Sequence, residues 1–443
     1  MGLGRFGGGL GVARWLVDQG AMVAVTDLDP AEKLAASLAK LNDLVESGRM
    51  TLRLGEHRLE DFRQADLVVA NPAVPRPWTN EYLAAATATG VPVTTEIRLL
   101  LERVDRRRVI GVTGTAGKST TTAMIHHLLN AAGHRAHLGG NIGGSLLESL
   151  PEIGPEDWIV LELSSAMLYW LAEGVGYPGA VGISPHVAVL TNLEPNHLDW
   201  HETFEHYRDS KENIFRYQQD GDHRITAELV HQRRKLPLRI PGEHNQYNGQ
   251  LAVLAALRSA NVLPPDSAPH LATFAGLPHR LQLVAERDGR QFYNDSKSTT
   301  PGATVLAVQA FRKPSRVHLI AGGYDKKIDL SAISELAPRI AGLYTIGATG
   351  AGLAEQARHV PRGEGVGAGH IEYCETLDRA VAAALARMGD EDILLLSPGC
   401  ASWDQFENYE QRGERFSELV ARSCGTTISH SQERENVSPA SRP

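Results

Sequence analysis

Cysteine is scarce in this chain, which has three among 443 residues, Cys374, Cys400 and Cys424. An odd, sparse set without paired metal spacing argues against a disulfide scaffold and fits a reducing compartment, the cytoplasm. No apolar run approaches the roughly 20 residues that a membrane-spanning helix needs. A basic region followed by an apolar core is also missing from the N-terminus, so no secretory signal is predicted.

Positive charge is in short supply as well, because 44 Lys and Arg stand against 52 Asp and Glu, for a net charge of −8. No basic block occurs before the last stretch, which argues against nucleic acid as the main partner. The remaining composition is that of an ordinary globular protein, and the length predicts about three domains. We therefore expect a cytoplasmic monomer with neither a membrane nor a nucleic-acid partner.

Residues 109–122, VIGVTGTAGKSTTT, combine a predicted buried strand, a glycine turn and the start of a predicted helix. The glycines of the turn allow backbone N–H groups to approach phosphate oxygens, and the helix N-terminus adds partial positive charge. Lys118 is expected to reach the terminal phosphates of a nucleotide, and a hydroxyl of Ser119 or Thr120 to meet Mg²⁺. The general phosphate-loop pattern has glycine where Val112 stands, but the strand, turn and helix that the chemistry needs are all predicted here.

The first nine residues, MGLGRFGGG, form a glycine turn before a predicted helix over residues 12–20. Such a turn is a diphosphate-binding fingerprint, and an acid at the end of the next strand, here Asp27, usually meets a ribose or a neighbouring sugar. Further strands are predicted over 67–70 and 91–94, so residues 1–105 are expected to form a Rossmann-like domain. The strand that should precede the turn is missing, and we expect weaker substrate binding and lower stability if the chain is truncated there.

Residues 106–277 alternate predicted parallel strands with helices, and polar residues cluster where the strands end. Uninterrupted apolar strands of this kind suit a sheet that is covered on both faces. Asn141, Glu162 and His197 are expected to converge on the phosphate cradle, because ligands of open α/β sheets bind at the carboxyl ends of strands. A proline-rich stretch over 261–270 is predicted to be a loop. The predicted strands are 109–112, 158–163 and 187–191, and the predicted helices 207–215 and 242–257.

Residues 278–424 repeat the βαβ pattern and are predicted to form a second Rossmann-like domain. Asp288 and Gly289 mark a hairpin turn between its first two strands. The polar motifs NDSKSTT and GGYDKK follow strands, as polar motifs do in the preceding domain. Residues 425–443 lack apolar periodicity and are predicted to be a disordered tail. The predicted strands are 280–285, 290–293, 317–323, 343–347 and 393–397.

A series of motifs occurs in one order along the chain: TGTAGKST, GNIG, LELSS, HLD, HNQYN, LPHRLQ, NDSKSTT, GGYDKK and LSPGCASWDQFENYEQRG. The set resembles the Mur ligases, and the motifs of the last domain resemble the branch that adds D-glutamate. The DNPR-type motif of the diaminopimelate-adding branch is absent. The resemblance implies an α/β protein of three domains: an N-terminal Rossmann-like domain, a central P-loop ATPase-type parallel sheet and a C-terminal Rossmann-like domain.

The resemblance also implies an ATP-dependent amide-bond ligase of peptidoglycan precursor synthesis. ATP phosphorylates the free carboxylate of UDP-N-acetylmuramoyl-L-alanine, the amine of D-glutamate attacks the acyl phosphate, and phosphate leaves. An anion that attacks another anion needs cations to hold both, so positioning and charge neutralisation should carry the catalysis. ATP, D-glutamate and the UDP-linked substrate are thus the implied partners, and two Mg²⁺ ions the implied metal cofactors.

The resemblance assigns catalytic roles to four residues: Lys118, Glu162, His197 and Lys211. One Mg²⁺ would bind Glu162 with Ser119 or Thr120, and a second would bind His197 with a carbamylated Lys211. A free ammonium repels Mg²⁺, whereas adding CO₂ to the neutral amine makes an oxygen-bearing anion. The implied ATP-binding residues are Gly114, Thr115, Ala116, Gly117, Lys118, Ser119, Thr120, Asn245, Asn248, Arg280, Asp295 and Lys297.

The two other substrates have residue sets of their own. A lysine and hydroxyl groups suit a dicarboxylate such as D-glutamate, because charge-assisted hydrogen bonds are the strong ones. The residues implied for D-glutamate are Thr299, Lys326, Ser402 and Tyr409. The residues implied for the UDP-linked substrate are Arg5, Phe6, Gly7, Asp27, Asn71 and Asn141.

Three other functions compete with the ligase. A nucleotide-sugar or NAD-binding oxidoreductase would explain the N-terminal glycines and Asp27, but it leaves the phosphate loop, Lys211 and the third domain unexplained. A folylpolyglutamate synthase should lack the N-terminal UDP-binding domain. A catalytically silent binding protein would not need the lysine, glutamate and histidine set.

Overall fold

The computed structural model describes residues 1–4, 8–230, 235–262, 264–361 and 369–424. Contacts between Cα atoms divide the chain into two compact units. The first unit comprises Met1–Pro237 and His244–Thr273, and the second comprises Leu238–Glu243 and Phe274–Pro443.

The N-terminal part of the first unit contains two small parallel sheets, each of two strands. Residues 1–4 lie beside both sheets, because the Gly2 N–H donates to Thr26 O at 2.8 Å and the Asn71 N–H donates to Met1 O at 2.9 Å. The strands are β1 (Val23–Asp27), β2 (Met50–Leu54), β3 (Val68–Val69) and β4 (Val93–Thr94), with β1 paired to β2 and β3 to β4. The helices are α1 (Gly8–Asp18), α2 (Ala31–Ala39), α3 (Asn42–Glu46), α4 (Leu59–Arg63), α5 (Glu81–Ala88) and α6 (Glu96–Leu101).

The rest of the first unit is built on a five-stranded parallel sheet in the order β6-β7-β5-β8-β9. Its strands are β5 (Val109–Thr113), β6 (Ala136–Gly140), β7 (Trp158–Glu162), β8 (Val187–Leu190) and β9 (His223–Ile225). Its helices are α7 (Lys118–Ala131), α8 (Ser165–Trp170), α9 (Leu198–His201), α10 (Phe204–Arg216), α11 (Glu243–Ala260) and α12 (Pro264–Thr273). Every residue of β5 and β7 is buried, as the apolar runs predicted. Since β5 is central and β7 and β8 flank it, the loops after these three strands meet at one edge of the sheet.

The second unit contains a six-stranded sheet in the order β10-β11-β15-β12-β13-β14, in which only the β10–β11 pair is antiparallel. Its strands are β10 (Gln282–Arg287), β11 (Arg290–Asn294), β12 (Val317–Gly322), β13 (Gly342–Ile346), β14 (His370–Glu375) and β15 (Ile393–Leu396). Its helices are α13 (Pro301–Gln309), α14 (Ser331–Ser334), α15 (Gly350–His359), α16 (Leu377–Leu385) and α17 (Tyr409–Cys424). Leu395 lies in one apolar cluster, and Leu394 and Leu396 lie in another, so helices cover both faces.

Several sequence-based predictions are confirmed by these elements, and others are wrong. The predicted strands and the helices after residue 118 are present within a few residues of the expected bounds. The predicted loop over 261–270 is wrong, because α12 begins at Pro264, where the missing proline N–H would have no helical partner in any case. Strands β2, β6, β9 and β14 were not predicted. The predicted tail over 425–443 lies outside the described residues.

No helix among the described residues has the length and apolar character that crossing a bilayer requires.

Candidate active site

A tight turn between β5 and α7 forms the centre of the candidate site. Gly114 and Gly117 have φ angles of +148° and +80°, a region that favours glycine. A Cβ atom on Gly114 would lie 1.9 Å from Thr191 Oγ1, and one on Gly117 would lie 2.4 Å from Asn248 Oδ1. Glycine is therefore required at both positions by conformation and by space. The turn leads directly into Lys118, the first residue of α7.

The loop that follows β8 fixes the backbone of this turn. The Thr115 N–H donates to Asn192 O at 3.0 Å, and the Ala116 N–H donates to Asn192 Oδ1 at 2.9 Å. Lys118 Nζ donates to Thr115 O at 3.0 Å, which folds the side chain back over the turn. The ammonium group thus lies at the turn, and its contact with phosphate oxygens stays a prediction.

Glu162 ends β7 next to this turn and is 1% exposed. Its Oε1 accepts a hydrogen bond from Asn141 Nδ2 at 2.6 Å, whereas Oε2 has no hydrogen-bond partner among the described residues. A buried carboxylate oxygen without a partner is costly unless a cation binds it. The donor chemistry fits Mg²⁺, which prefers carboxylate and hydroxyl oxygens. Within the described ranges no group of three His, Cys, Asp or Glu forms a metal site, so the remaining ligands would include hydroxyl, water and phosphate oxygens.

Lys211, on α10, is 2% exposed, which is unusual for a lysine. Its Nζ donates to Gly114 O at 2.8 Å and to Thr113 Oγ1 at 3.2 Å, so the amine lies directly behind the phosphate turn. Burial lowers the pKa of this amine to about 7; the positive charge of Lys118 lowers it further, and Glu162 opposes the shift. A lysine with such a pKa is substantially neutral at physiological pH.

Tyr207 supports Lys211 from the preceding turn of α10. The Lys211 Nζ lies 4.8 Å from the centroid of the Tyr207 ring, and the Tyr207 hydroxyl is hydrogen-bonded to Thr115 Oγ1 at 3.0 Å. One side chain therefore contacts both the buried amine and the phosphate turn. Sequence reasoning missed Tyr207 and also Asn192, because neither residue type carries a motif by itself.

His197 precedes α9 and adopts a left-handed conformation with φ of +52°. Partial burial lowers the pKa of His197, and the charges of Lys118 and Lys211 lower it further. A neutral imidazole near these two lysines is the form that binds a metal ion. The structure thus brings the four residues with predicted catalytic roles into one neighbourhood of the first unit.

Asn245 and Asn248 lie on α11, and Asn248 contacts the same turn. Asn248 Oδ1 occupies the space beside Gly117, and Asn248 Nδ2 donates weakly to Asn245 Oδ1 at 3.4 Å. Both side chains are 4% exposed. Their contact with the nucleotide remains a prediction, and for Asn248 the position beside Gly117 supports it.

Six residues are predicted to contact the UDP-linked substrate, and all of them belong to the first unit. Arg5, Phe6 and Gly7 lie outside the described residues. Asp27 accepts hydrogen bonds from the Gly4 N–H at 3.1 Å and the Asp29 N–H at 2.8 Å, so its carboxylate organises the glycine turn. Asn71 donates to Gly2 O at 3.1 Å, on the same turn. These two residues, like Asn141 beside Glu162, hold protein groups in this structure, and their substrate roles stay predictions.

A second cluster of predicted residues lies in the second unit, after β11. Asp295 is 6% exposed and accepts hydrogen bonds from Ser298 Oγ at 2.6 Å and Ser397 Oγ at 2.8 Å. Burial raises the pKa of Asp295 to about 6, although these hydrogen bonds and the charge of Arg280 lower it. The carboxylate therefore ties the end of β11 to the end of β15. Arg280 is exposed.

Next to Asp295, Lys297 contacts two other residues, His279 and Tyr409. Lys297 Nζ lies 5.2 Å from the centroid of the Tyr409 ring, and the Lys297 N–H donates to His279 O at 3.1 Å. Burial raises the pKa of Tyr409 to about 12, and its neighbour Glu410 adds to the rise. The phenol is therefore a neutral aromatic wall for the lysine. Arg412, which sequence reasoning did not select, holds this region from α17 through hydrogen bonds to Ser296 and Cys400.

Close packing around His279 gives a stability prediction. A Cβ on Gly413 would lie 2.1 Å from His279 Nδ1 and 3.0 Å from Asn294 Nδ2. We expect Gly413→Ala to lower the free energy of unfolding by about 1–3 kcal/mol, the usual cost of overpacking, measured by chemical denaturation. Gly352→Ala is the matched control on α15, where nothing lies within 4 Å of the added Cβ. The control should gain about 0.5–1 kcal/mol of helix propensity, and a similar gain in Gly413→Ala would refute the close contact.

The residues predicted to bind the amino-acid substrate follow three strands of the second unit. Thr299 is half-buried after β11, and Lys326 is exposed after β12. Ser402 is 2% exposed after β15, where Gln405 and Phe406 donate backbone hydrogen bonds to its carbonyl oxygen. The carboxyl ends of β11, β12 and β15 are adjacent in the sheet, so these residues stand at one edge.

The phosphate turn on a parallel sheet, with a lysine, a buried carboxylate and a second buried lysine, defines a nucleotide-binding α/β enzyme. Three family models match this chain: the MurD-like N-terminal domain of Mur ligases over residues 1–95, the Mur ligase middle domain over 112–228, and the Mur ligase glutamate ligase domain over 279–400. The chain belongs to the Mur ligase family, which confirms the resemblance found in its motifs.

Relatives and solved structures agree with this membership. A protein of Roseiflexus sp. (strain RS-1) named UDP-N-acetylmuramoylalanine--D-glutamate ligase is 35% identical, over 95% of this chain and 97% of its own length. A Symbiobacterium thermophilum protein of the same name is also 35% identical, over 93% and 95%. The crystal structure of UDP-N-acetylmuramate-alanine ligase MurC from Thermotoga maritima gives a TM-score of 0.55 at 20% identity, over 94% of this chain and 98% of that one. At that identity the likeness supports the fold alone.

Proposed function

We propose that this chain is an ATP-dependent ligase that joins D-glutamate to UDP-N-acetylmuramoyl-L-alanine through an acyl phosphate. The observation that carries the proposal is the near-complete coverage of relatives that bear this enzyme name. The geometry of the first unit supports it, because the reaction begins with a phosphoryl transfer and the unit presents a phosphate turn. The reaction belongs to peptidoglycan precursor synthesis, and we propose that the chain acts in the cytoplasm as a monomer.

The first step joins two anions, so its main requirement is charge neutralisation. The substrate carboxylate oxygen attacks the γ-phosphorus of ATP, the bond from phosphorus to the bridging oxygen breaks, and ADP leaves. Lys118 and the N–H groups at the N-terminus of α7 would hold the phosphate oxygens in line, because the N–H groups of Thr115 and Ala116 already donate to Asn192. Such preorganised donors cost no reorganisation at the moment of reaction, which is why they accelerate it.

Divalent cations are part of the proposal. Glu162, with Ser119 or Thr120, would hold one Mg²⁺, and the unpartnered Glu162 Oε2 fits that role. His197 and a carbamylated Lys211 would hold a second, and the lowered pKa of Lys211 favours the neutral amine that reacts with CO₂. A bound Mg²⁺ supplies positive charge to the transferring phosphoryl oxygens.

The second step takes place on the acyl phosphate carbonyl carbon. The D-glutamate nitrogen attacks that carbon, a C–N bond forms, the C–O bond to phosphate breaks, and the nitrogen loses a proton. Thr299, Lys326, Ser402 and Tyr409 would bind the two carboxylates of D-glutamate, and the lysine supplies a charge-assisted hydrogen bond. Water must be kept away, since it would hydrolyse the acyl phosphate.

An ADP-release assay with a panel of amino acids tests the proposal. The chain is incubated with ATP, Mg²⁺, UDP-N-acetylmuramoyl-L-alanine and, in turn, D-glutamate, L-glutamate, D-aspartate, L-lysine or meso-diaminopimelate. We expect D-glutamate alone to support sustained ADP release. Turnover with another amino acid only, or ADP release that ignores the amino acid, would refute the assignment. An absorbance change with NADH in place of ATP would instead favour an oxidoreductase.

A further inference from the structure

Two exposed aromatic side chains, Tyr324 and Trp403, form what we call the aromatic pair. Tyr324 follows β12 and Trp403 follows β15, and the Tyr324 N–H donates to Ala401 O at 2.9 Å. This bond places the two loops side by side, and the ring centroids lie 5.6 Å apart. Trp403 is 62% exposed and Tyr324 is 42% exposed. Large aromatic rings held this far in solvent commonly mark a binding surface.

Trp403, one member of the aromatic pair, contacts a lysine. Lys326 Nζ lies 4.9 Å from the centroid of the Trp403 ring, within the range of a cation–π contact. Among the residues that the structure describes, no carboxylate forms an ion pair with Lys326. Its neighbour Lys327 differs, because Lys327 Nζ lies 2.7 Å from Asp325 Oδ2. The two adjacent lysines thus have different partners. The charge of Lys327 is neutralised by a carboxylate, whereas the ammonium of Lys326 is only oriented by a ring.

The difference matters for binding an anion. A carboxylate partner would occupy the ammonium and cancel its charge, whereas the face of an indole ring fixes its position and leaves N–H donors available. The Lys326 ammonium therefore remains a competent partner for a ligand carboxylate, at a position that Trp403 sets. Ser402, the residue before Trp403, is itself a predicted contact of the amino-acid substrate.

We propose that Trp403 is a positioning residue for Lys326 and thereby a determinant of which acidic amino acid the enzyme accepts. The inference rests on the proposed function. The ring holds the ammonium at a set distance from the loops after β11 and β15. The side chain of the substrate must therefore be long enough for its carboxylate to reach the ammonium. An amino acid one methylene shorter or longer places its carboxylate away from the ammonium. Without the ring, Lys326 samples more positions and accepts side chains of different lengths less selectively.

Steady-state kinetics on single variants test this inference. Trp403→Leu removes the π face, and we expect it to raise the KM for D-glutamate about three- to tenfold while kcat and the KM for ATP stay within about twofold. Trp403→Phe retains a weaker π face and should recover part of the loss. The ratio of kcat/KM for D-glutamate over D-aspartate and over D-2-aminoadipate should fall in Trp403→Leu. Lys327→Met is the matched control and should behave like the unchanged chain, because Lys327 is paired with Asp325.

A double-mutant cycle separates positioning from a general effect on folding. Lys326→Met should raise the KM for D-glutamate more than Trp403→Leu does, and the double variant should match Lys326→Met, since the ring acts only through the ammonium. Full additivity, an unchanged KM in Trp403→Leu, or an equal rise in the KM for ATP would overturn the inference. If the unchanged chain shows no ADP release with D-glutamate, the proposed function fails and the inference with it. If the unchanged chain turns over D-glutamate and Trp403→Leu equals it, only the inference fails.

Discussion

Lys118→Ala should lower kcat/KM about 10³-fold or more, the largest loss expected for any substitution in the chain. Lys118 is the first residue of α7, and its Nζ lies over the phosphate turn, 3.0 Å from Thr115 O. Alanine removes a full positive charge from the place where the γ-phosphoryl group gains negative charge. Because alanine is an excellent helix residue, the fold should be retained.

The control for this result is Lys313→Ala, which removes an exposed lysine of the second unit. It should leave kcat/KM within about twofold of the unchanged chain, because Lys313 belongs to none of the predicted site residues and a single exposed charge contributes little. Both variants should melt within a few degrees of the parent, measured by differential scanning fluorimetry. If Lys118→Ala were nearly as active as the parent, Lys118 would not bind the phosphates. The turn would then have no part in the mechanism.

Lys211→Ala should lower kcat by about 10²–10³-fold and recover part of it when formate or acetate is added. Lys211 Nζ lies 2.8 Å from Gly114 O, so truncation opens a buried space directly behind the phosphate turn. A small carboxylate in that space can supply the oxygen-bearing anion that a carbamate would provide. Lys211→Arg is the matched control: it keeps a cation, cannot form a stable carbamate, and should be inactive without recovery.

The pH dependence of activity tests the carbamylation of Lys211 independently. The pKa of the Lys211 amine is lowered to about 7, so the neutral form that reacts with CO₂ predominates above that pH and is lost below it. The parent should therefore lose activity as pH falls through about 7, and added bicarbonate should shift the loss towards lower pH. Lys211→Ala recovered by acetate should lack this acid limb, since acetate stays ionised down to about pH 5. A parent profile insensitive to bicarbonate together with no recovery by carboxylates would refute carbamylation.

The phosphate turn was predictable from sequence because its chemistry is local. Two glycines, a lysine and the start of a helix lie within a few residues, and the strand before them is apolar. Gly114 and Gly117 indeed have conformations that other residues avoid. Local composition also predicted the buried strands, since β5 and β7 are apolar up to their last residues, Thr113 and Glu162.

Other features depend on contacts between distant residues and could not be derived from spacing. Lys211 lies on an amphipathic helix where a lysine is ordinarily exposed, and only the family resemblance suggested that it is functional. Its burial follows from the approach of α10 to Gly114, almost a hundred residues earlier. Tyr207 was missed for the same reason. Strand β14 was missed because half of its residues are polar or charged, as suits a strand at the edge of the sheet.

Asp27 illustrates a motif whose position was predictable and whose contacts were not. The acid ends β1 as expected, but its two oxygens accept the N–H groups of Gly4 and Asp29. A carboxylate with two backbone donors can still accept further hydrogen bonds from a ligand. Sequence alone therefore predicted Asp27 at the end of a strand, its contact with the substrate stays a prediction, and the structure adds its hydrogen bond to Gly4.

Oxygen transfer is the measurement that tests the central claim most directly. UDP-N-acetylmuramoyl-L-alanine is labelled with ¹⁸O in its alanyl carboxylate, turned over with ATP and D-glutamate, and the released phosphate is analysed by mass spectrometry. An acyl phosphate requires that one carboxylate oxygen leave with the phosphoryl group, so we predict one ¹⁸O atom in each phosphate released. Phosphate without label, alongside normal amide formation, would show that the carboxylate never attacks the γ-phosphorus and would contradict the account.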